Sequence, residues 1–147
     1  MTTPPDFEVE TPAASQVRLG FDLARVSGIA ESLRLFGRRF TDRVFTAREL
    51  DYALSGAGLV AERLAARFAA KEAVIKALSL AECGMAMRDI EVVKLGDGGC
   101  AIALHGPARA AAAEIGVQRI LVSLSHDGDV AGAVVHAWLE TPITTQA

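Results

Sequence analysis

The segment Arg67-Phe68-Ala69-Ala70-Lys71-Glu72-Ala73-Val74-Ile75-Lys76-Ala77-Leu78 carries an acid where a helix is expected to be apolar. Ala65, Phe68, Glu72, Ile75 and Ser79 recur at steps of three and four, so a helix sets them on one stripe. A carboxylate on such a stripe is costly to bury unless something pairs with it or coordinates it. Lys71 and Lys76 flank Glu72. One carboxylate between two ammonium groups, on a rigid helix, suits a metal ion and a phosphate group held side by side. A second acid, Asp22, lies where Val17, Leu19, Phe21 and Leu23 alternate with Arg18, Gly20, Asp22 and Ala24. That alternation predicts a strand. Asp22 falls on the face opposite the apolar set, and Gly20 leaves room there for another backbone or a ligand. Asp22 and Glu72 together make an oxygen-rich site of two carboxylates. Magnesium accepts such a pair and fills its other positions with water and substrate phosphates.

Plainer readings exist for each residue. Lys76 follows Glu72 by four, which also describes a helix-surface pair of about 0.2–0.5 kcal/mol. Arg67 equally suits a solvated partner of Glu62. His126 stands beside a turn. His105, before Gly106-Pro107, reads as a cap or turn group, and His136 as a strand residue without a chemical role.

The elements that must position these groups follow from the pattern. A strand is expected at about 17–24 and a helix at about 27–36, where Ile29, Leu33 and Phe36 recur. Phe40 to Phe45 reads as a connection. Thr46-Ala47-Arg48-Glu49 is a capping-box sequence opening a helix to about 54, and Ser55-Gly56-Ala57-Gly58 breaks it. The long helix runs over about 60–80. Strands are predicted at Asp89–Leu95 and Cys100–Leu104 around a Gly96-Asp97-Gly98-Gly99 turn. Pro107 starts a short helix that Gly116 stops. Ile120–Ser125 and Val130–Leu139 form a final hairpin around Asp127-Gly128. Residues 1–16 and 141–147 read as flexible tails around one domain at 17–140. The order implies an α+β domain with an antiparallel sheet packed with a long central helix.

Bulk properties exclude several classes. The chain has 147 residues, 51% hydrophobic and 22% charged, the balance of one globular domain. A net charge of -3 argues against a dedicated nucleic-acid binder. Cys83 and Cys100 have no metal-ligand spacing. No apolar run reaches the roughly 18 residues of a membrane span. The start lacks a basic-then-apolar leader, so the cytoplasm is the expected compartment.

The motifs in order resemble a known family. Gly20-Phe21-Asp22-Leu23, Arg43-Val44-Phe45-Thr46 with Glu49, and Arg67-Phe68-Ala69-Ala70-Lys71-Glu72-Ala73 with Lys76-Ala77-Leu78 are similar to signatures of the holo-acyl-carrier-protein synthases. Those are the short class of 4'-phosphopantetheinyl transferases. Asp89-Ile90-Glu91-Val92, Leu104-His105-Gly106-Pro107-Ala108 and Val122-Ser123-Leu124-Ser125-His126 follow in the same order, so the resemblance spans roughly 17–138. It implies a phosphopantetheinyl transferase fold and transfer of 4'-phosphopantetheine from coenzyme A to a serine of an acyl carrier protein. Adenosine 3',5'-bisphosphate is left behind. It implies Asp22 and Glu72 as magnesium ligands, and Glu72 as acceptor of the serine proton. Lys76 is matched to the pyrophosphate, His126 to the nucleotide pocket, and Arg67 and Lys71 to further coenzyme A contacts. It also implies a homotrimer with coenzyme A between subunits. The chain departs from the pattern after the central helix, where Ser79-Leu80-Ala81 replaces the usual Gly-Thr-Gly, and at two positions after Asp22. Arg25 stands where the family usually has an acid, and Gly28 where it usually has an arginine that meets the carrier. Arg34, Arg38 and Arg39 are the basic residues left to meet an acidic carrier. Against the transferase stand a relative that binds carrier or coenzyme A without efficient transfer, and a magnesium phosphoesterase built on the same two acids.

Overall fold

A computed structural model of the chain describes residues 16–140. The expected tails therefore lie, apart from Gln16, outside the described residues. Strand β1 (Val17–Arg25) runs straight into helix α1 (Val26–Phe36), followed by α2 (Arg38–Val44), α3 (Ala47–Leu54) and α4 (Val60–Leu78). A 3-10 turn at Met87–Asp89 leads to β2 (Ile90–Lys94) and β3 (Cys100–Leu104). Helix α5 (Gly106–Glu114) and strands β4 (Val117–Asp127) and β5 (Val130–Leu139) complete the order. Every strand pair is antiparallel: β5 lies between β1 and β4 in one sheet, and β2 pairs with β3 in another. This is the α+β arrangement that the sequence implies. Among the described residues, no helix is long and apolar enough to cross a membrane.

Local chemistry explains most boundaries. Thr46 caps α3 in a full capping box: its hydroxyl accepts from the Glu49 N–H, and the Glu49 carboxylate accepts from the Thr46 N–H. Helix α4 ends at Ser79, a non-glycine residue in the left-handed region at φ 55, ψ 48. Helix α2 is the element that sequence reasoning missed. It has seven residues, and its N-cap Gly37 offers no side chain to mark the start. The last hairpin turns at Gly128-Asp129, one residue later than expected, because Asp127 still pairs with Val130.

Helix α4 is the spine of the molecule. Both hydrophobic clusters draw on it: Ala69, Ala73, Val74 and Ala77 meet the sheets, while Leu64, Ala65 and Ala66 meet α1 to α3. It is buried nearly all round, not along the single stripe that the spacing suggests. On that stripe Glu72 and Ile75 are half-buried and Ser79 is exposed. Its alanines let β1 approach closely. A Cβ on Gly20 would fall 1.9 Å from the Ala73 carbonyl oxygen and 3.1 Å from the Ala77 Cβ.

This approach decides which face of β1 is covered. Arg18 and Gly20 are buried and Asp22 half-buried, whereas Leu19 is 70% and Phe21 58% exposed. The apolar set lies on the uncovered face, since no apolar side chain fits where the strand backbone rests on the helix. That face continues across the sheet: Phe21 pairs with Val134, and Leu19 with His136, which pairs in turn with Leu121.

Candidate active site

The two acids come from the two elements that Gly20 brings together. Asp22 lies two residues beyond Gly20 on β1 and faces α4. The Lys76 ammonium donates to Asp22 Oδ1 at 3.0 Å and reaches the Phe21 carbonyl at 3.5 Å. Lys76 thus serves the strand and does not close the helix-surface pair with Glu72. Glu72 lies one turn earlier on the same side of α4. Its side chain makes no hydrogen bond or ion pair among the described residues. The result is an edge with one carboxylate held by an ammonium, a second carboxylate with free oxygens, and a cation partly open to solvent.

This donor set fits a hard cation. It is all oxygen, and two carboxylates with unused lone pairs are what magnesium takes when substrate phosphates complete its shell. Among the described residues no cluster of three or more His, Cys, Asp or Glu side chains forms a complete metal cage.

Lys71 has a different place. It is 0% exposed, and its ammonium donates to Glu49 Oε1 at 2.7 Å, to the Met87 carbonyl at 3.1 Å and to the Ile90 carbonyl. Glu49 is equally buried, and Oε2 accepts from the Val92 N–H at 3.0 Å. Burial pulls the Lys71 ammonium below its ordinary pKa, against the opposing charge of Glu49. With all three protons placed inside the protein, the Lys71 ammonium has no donor left over for a bound molecule. Its task is to tie α4 to α3, β2 and the turn before β2. Sequence reasoning missed Glu49 as its partner, although the capping box singles out that residue.

Arg67 and His126 meet elsewhere. They line a cavity of about 500 Å³ together with Arg63, Lys94, Tyr52 and Glu62, among others. Arg67 is 3% exposed, its guanidinium lies 4.3 Å from the Tyr52 ring centre, and Nη1 donates to the Arg63 carbonyl at 3.2 Å. Arg63 stacks on the same ring at 4.4 Å and donates to the Tyr52 carbonyl at 2.8 Å. Gly56 makes room for it, since a Cβ there would lie 2.4 Å from the Arg63 guanidinium carbon. The lining holds Arg63, Arg67 and Lys94 against the single acid Glu62, a positive balance that favours an anion. Asp22, Glu72 and Lys76 are not in its lining.

His105 is the N-cap residue of α5, as its position before Gly106-Pro107 suggests, but its ring makes no capping bond. Nε2 lies 3.2 Å from Glu91 Oε1, while Thr46 Oγ1 donates to Glu91 Oε2 at 2.6 Å. His136 stacks on Trp138 at 3.8 Å.

Comparison with known proteins matches this arrangement to one family. Residues 18–135 match the 4'-phosphopantetheinyl transferase superfamily. A holo-[acyl-carrier-protein] synthase from Gloeobacter violaceus is 42% identical over 118 residues, 80% of this chain and 89% of the relative. Among solved structures, the ACPS–CoA complex from Chronobacterium ammoniagenes superposes with a TM-score of 0.74 at 34% identity, covering 86% of this chain and 100% of that one. The acyl carrier protein synthase of Mycobacterium tuberculosis superposes with a TM-score of 0.66 at 38% identity, covering 84% and 97%. The chain belongs to the 4'-phosphopantetheinyl transferase superfamily, as an enzyme of its holo-[acyl-carrier-protein] synthase branch.

Proposed function

We propose that the chain transfers 4'-phosphopantetheine from coenzyme A to a serine of an acyl carrier protein, in a magnesium-dependent reaction that leaves adenosine 3',5'-bisphosphate. The observation that carries this reading is the Asp22–Lys76 contact across β1 and α4, with Glu72 one turn away. Asp22 and Glu72 hold the magnesium ion, which would supply charge neutralisation at the pyrophosphate oxygens. Glu72 accepts the proton of the carrier serine as its oxygen attacks the phosphorus that bears the pantetheine arm. The bond from that phosphorus to the bridging oxygen breaks, and the bisphosphate leaves with the electron pair. Lys76, 57% exposed at its side chain, offsets the charge of the leaving phosphate.

The basic cavity with Arg67 and His126 takes the nucleotide. Its separation from the two acids supports a coenzyme A that lies between subunits. The open apolar face of the β1-β5-β4 sheet supports the same arrangement: with Leu19, Phe21, Leu23, Leu121 and Val134 all more than 45% exposed, it is the surface of an assembling protein. We read the assembly as a homotrimer closed through this face. Phe21→Glu would then give monomers by light scattering; a wild-type monomer with full activity would contradict the trimer.

The carrier meets α1 and α2. Arg38, Arg39 and Arg43 line an open groove of about 600 Å³ beside Phe36 and Phe40, a mixture suited to an acidic helix with an apolar edge. Gly28 on α1 leaves open surface: a Cβ placed there would meet only the Arg25 Cβ, at 3.7 Å. We read the partner as an acyl carrier protein of fatty-acid or related biosynthesis. The direct test is to incubate the protein with coenzyme A, magnesium and purified carriers and weigh the carriers. One carrier should gain the mass of the phosphopantetheine arm. No gain on any carrier would sink the reading.

A further inference from the structure

Gln16, the first described residue, is pinned to the sheet: its carbonyl accepts from the Leu139 N–H at 2.8 Å. The chain before it is one-sided in composition. Asp6, Glu8 and Glu10 are the only charged side chains in residues 1–15, so the whole net charge of -3 lies in that segment. Phe7 and Val9 alternate with the three acids, a period of two. Arginine clusters read acidic segments of this kind. The groove beside α1 and α2 offers one. Arg39 and Arg43 stand one turn apart on α2, and Phe36 and Phe40 line the same groove. Phe36 is 52% exposed. Of the other arginines on these helices, Arg34 pairs with Glu31 and Arg38 with Asp42. Arg39 and Arg43 have no acid of their own among the described residues. One helical turn separates side chains by about 5–6 Å, and alternate residues of an extended chain lie about 6.6 Å apart. Two acids of the segment therefore match the two free arginines in step.

We propose that the segment Asp6-Phe7-Glu8-Val9-Glu10 docks in the α1–α2 groove of its own assembly, its acids on Arg39 and Arg43 and its apolar side chains on Phe36 and Phe40. It is an autoinhibitory contact that a carrier must displace. The inference rests on the reading of this groove as the carrier site. Ten residues separate Phe7 from Val17 and reach up to about 35 Å when extended. Covalent attachment gives such a segment an effective concentration in the millimolar range. A contact too weak to hold a free peptide at micromolar concentration therefore still fills the groove. Exposed charge pairs are individually weak, so the segment yields to a carrier that presents more acids and a closer fit, and it holds off carriers that fit poorly.

The test measures modification of an acyl carrier protein by the full chain over a range of carrier concentrations, with coenzyme A and magnesium saturating. In the triple variant Asp6→Asn, Glu8→Gln, Glu10→Gln the KM for the carrier should fall by about threefold or more, with kcat unchanged. The gap to wild type should close as salt rises to about 0.5 M, because exposed charges are screened. A peptide of residues 4–13, added to the triple variant at about millimolar concentration, should raise KM again without lowering kcat. The same peptide with Phe7→Ser and Val9→Ser should act more weakly. Arg39→Glu combined with Arg43→Glu should raise the carrier KM and abolish the effect of the peptide. If the triple variant keeps the wild-type KM and the peptide is inert, while the arginine variant still raises KM, the docking proposal falls and the carrier reading stands. If the arginine variant leaves the carrier KM unchanged, both fall. A wild-type KM that climbs with enzyme concentration while the peptide is inert would assign the groove to a second copy of the chain and overturn the proposal as well.

Discussion

Gly20 rests on the Ala73 carbonyl so closely that a Cβ would fall 1.9 Å from its oxygen. No relaxed side chain accommodates such a distance, and the obstacle is helix backbone, which cannot swing aside. Gly20→Ala should therefore push β1 away from α4. The expected loss is about 1–3 kcal/mol of stability, the scale of overpacking. Activity should fall further than stability, because the same shift separates Asp22 from Lys76. Thermal melting and carrier modification on the same preparation check this; wild-type melting of the Gly20→Ala variant would show that the strand does not lie where described.

The Lys71–Glu49 pair gives a second prediction. Both side chains are fully buried, and each satisfies the other along with neighbouring backbone groups. Removing one partner leaves an uncompensated charge, at a cost of about 3–5 kcal/mol. Lys71→Met and Glu49→Gln should each destabilise strongly in urea denaturation. The double variant should lose less than the sum, with a coupling of about 1 kcal/mol or more. Strict additivity would mean that the pair does not act as a unit.

Much of this arrangement was legible in the sequence. Period two placed β1 and set Asp22 opposite the apolar residues, and the capping box fixed the start of α3. Two features were not legible, for different physical reasons. Spacing alone separates the faces of β1 but does not say which is covered. That depended on the contact between Gly20 and α4, distant in sequence. Lys71 looked like a ligand contact because an ammonium next to Glu72 suits a phosphate. Its true surroundings come from α3 and β2, and consecutive residues on a helix point about 100° apart. Helix α2 was too short to show a period.

Ser79 ends α4 in the left-handed conformation, where a Cβ crowds the following carbonyl. Glycine adopts that conformation without the clash. Ser79→Gly should raise stability by about 1 kcal/mol, offset in part by the greater freedom of glycine in the unfolded chain. Chemical denaturation with an unchanged m-value would check it; a destabilised glycine variant would imply that the Ser79 side chain makes a contact of greater value than the strain.

Glu91 predicts a pH dependence. Burial alone would raise its pKa, but hydrogen bonds from Thr46 and His105 and the charge of Arg48 outweigh that and hold it below its ordinary value of 4.5. A depressed folded-state pKa contributes stability above the unfolded value, and that contribution is lost as pH falls through the folded value. Wild type should therefore lose more stability on acidification below about 4.5 than Glu91→Gln does. The exposed carboxylates Glu31 and Asp129, also lowered, are present in both proteins and cancel in the difference. Parallel stability curves for the two proteins would rule out this role for Glu91.

The final prediction separates chemistry from stability at Asp22 and Glu72. Asp22 pairs with a Lys76 whose side chain is 57% exposed, an ion pair of about 0–1 kcal/mol. Glu72 has no polar partner to lose among the described residues. Asp22→Asn and Glu72→Gln keep shape and remove charge, so each should melt within about 1 kcal/mol of wild type. Transfer should nonetheless fall by about a hundredfold or more: on the proposed mechanism each variant weakens the metal site by removing a carboxylate charge, and the second also removes the proton acceptor. The two should differ in their response to added magnesium. Raising the ion concentration should recover part of the rate in Asp22→Asn, where only binding is weakened. It should recover little in Glu72→Gln, where the serine proton has lost its acceptor. Near-normal turnover in both variants would remove these acids from the mechanism, and equal magnesium rescue in both would leave Glu72 as a ligand alone.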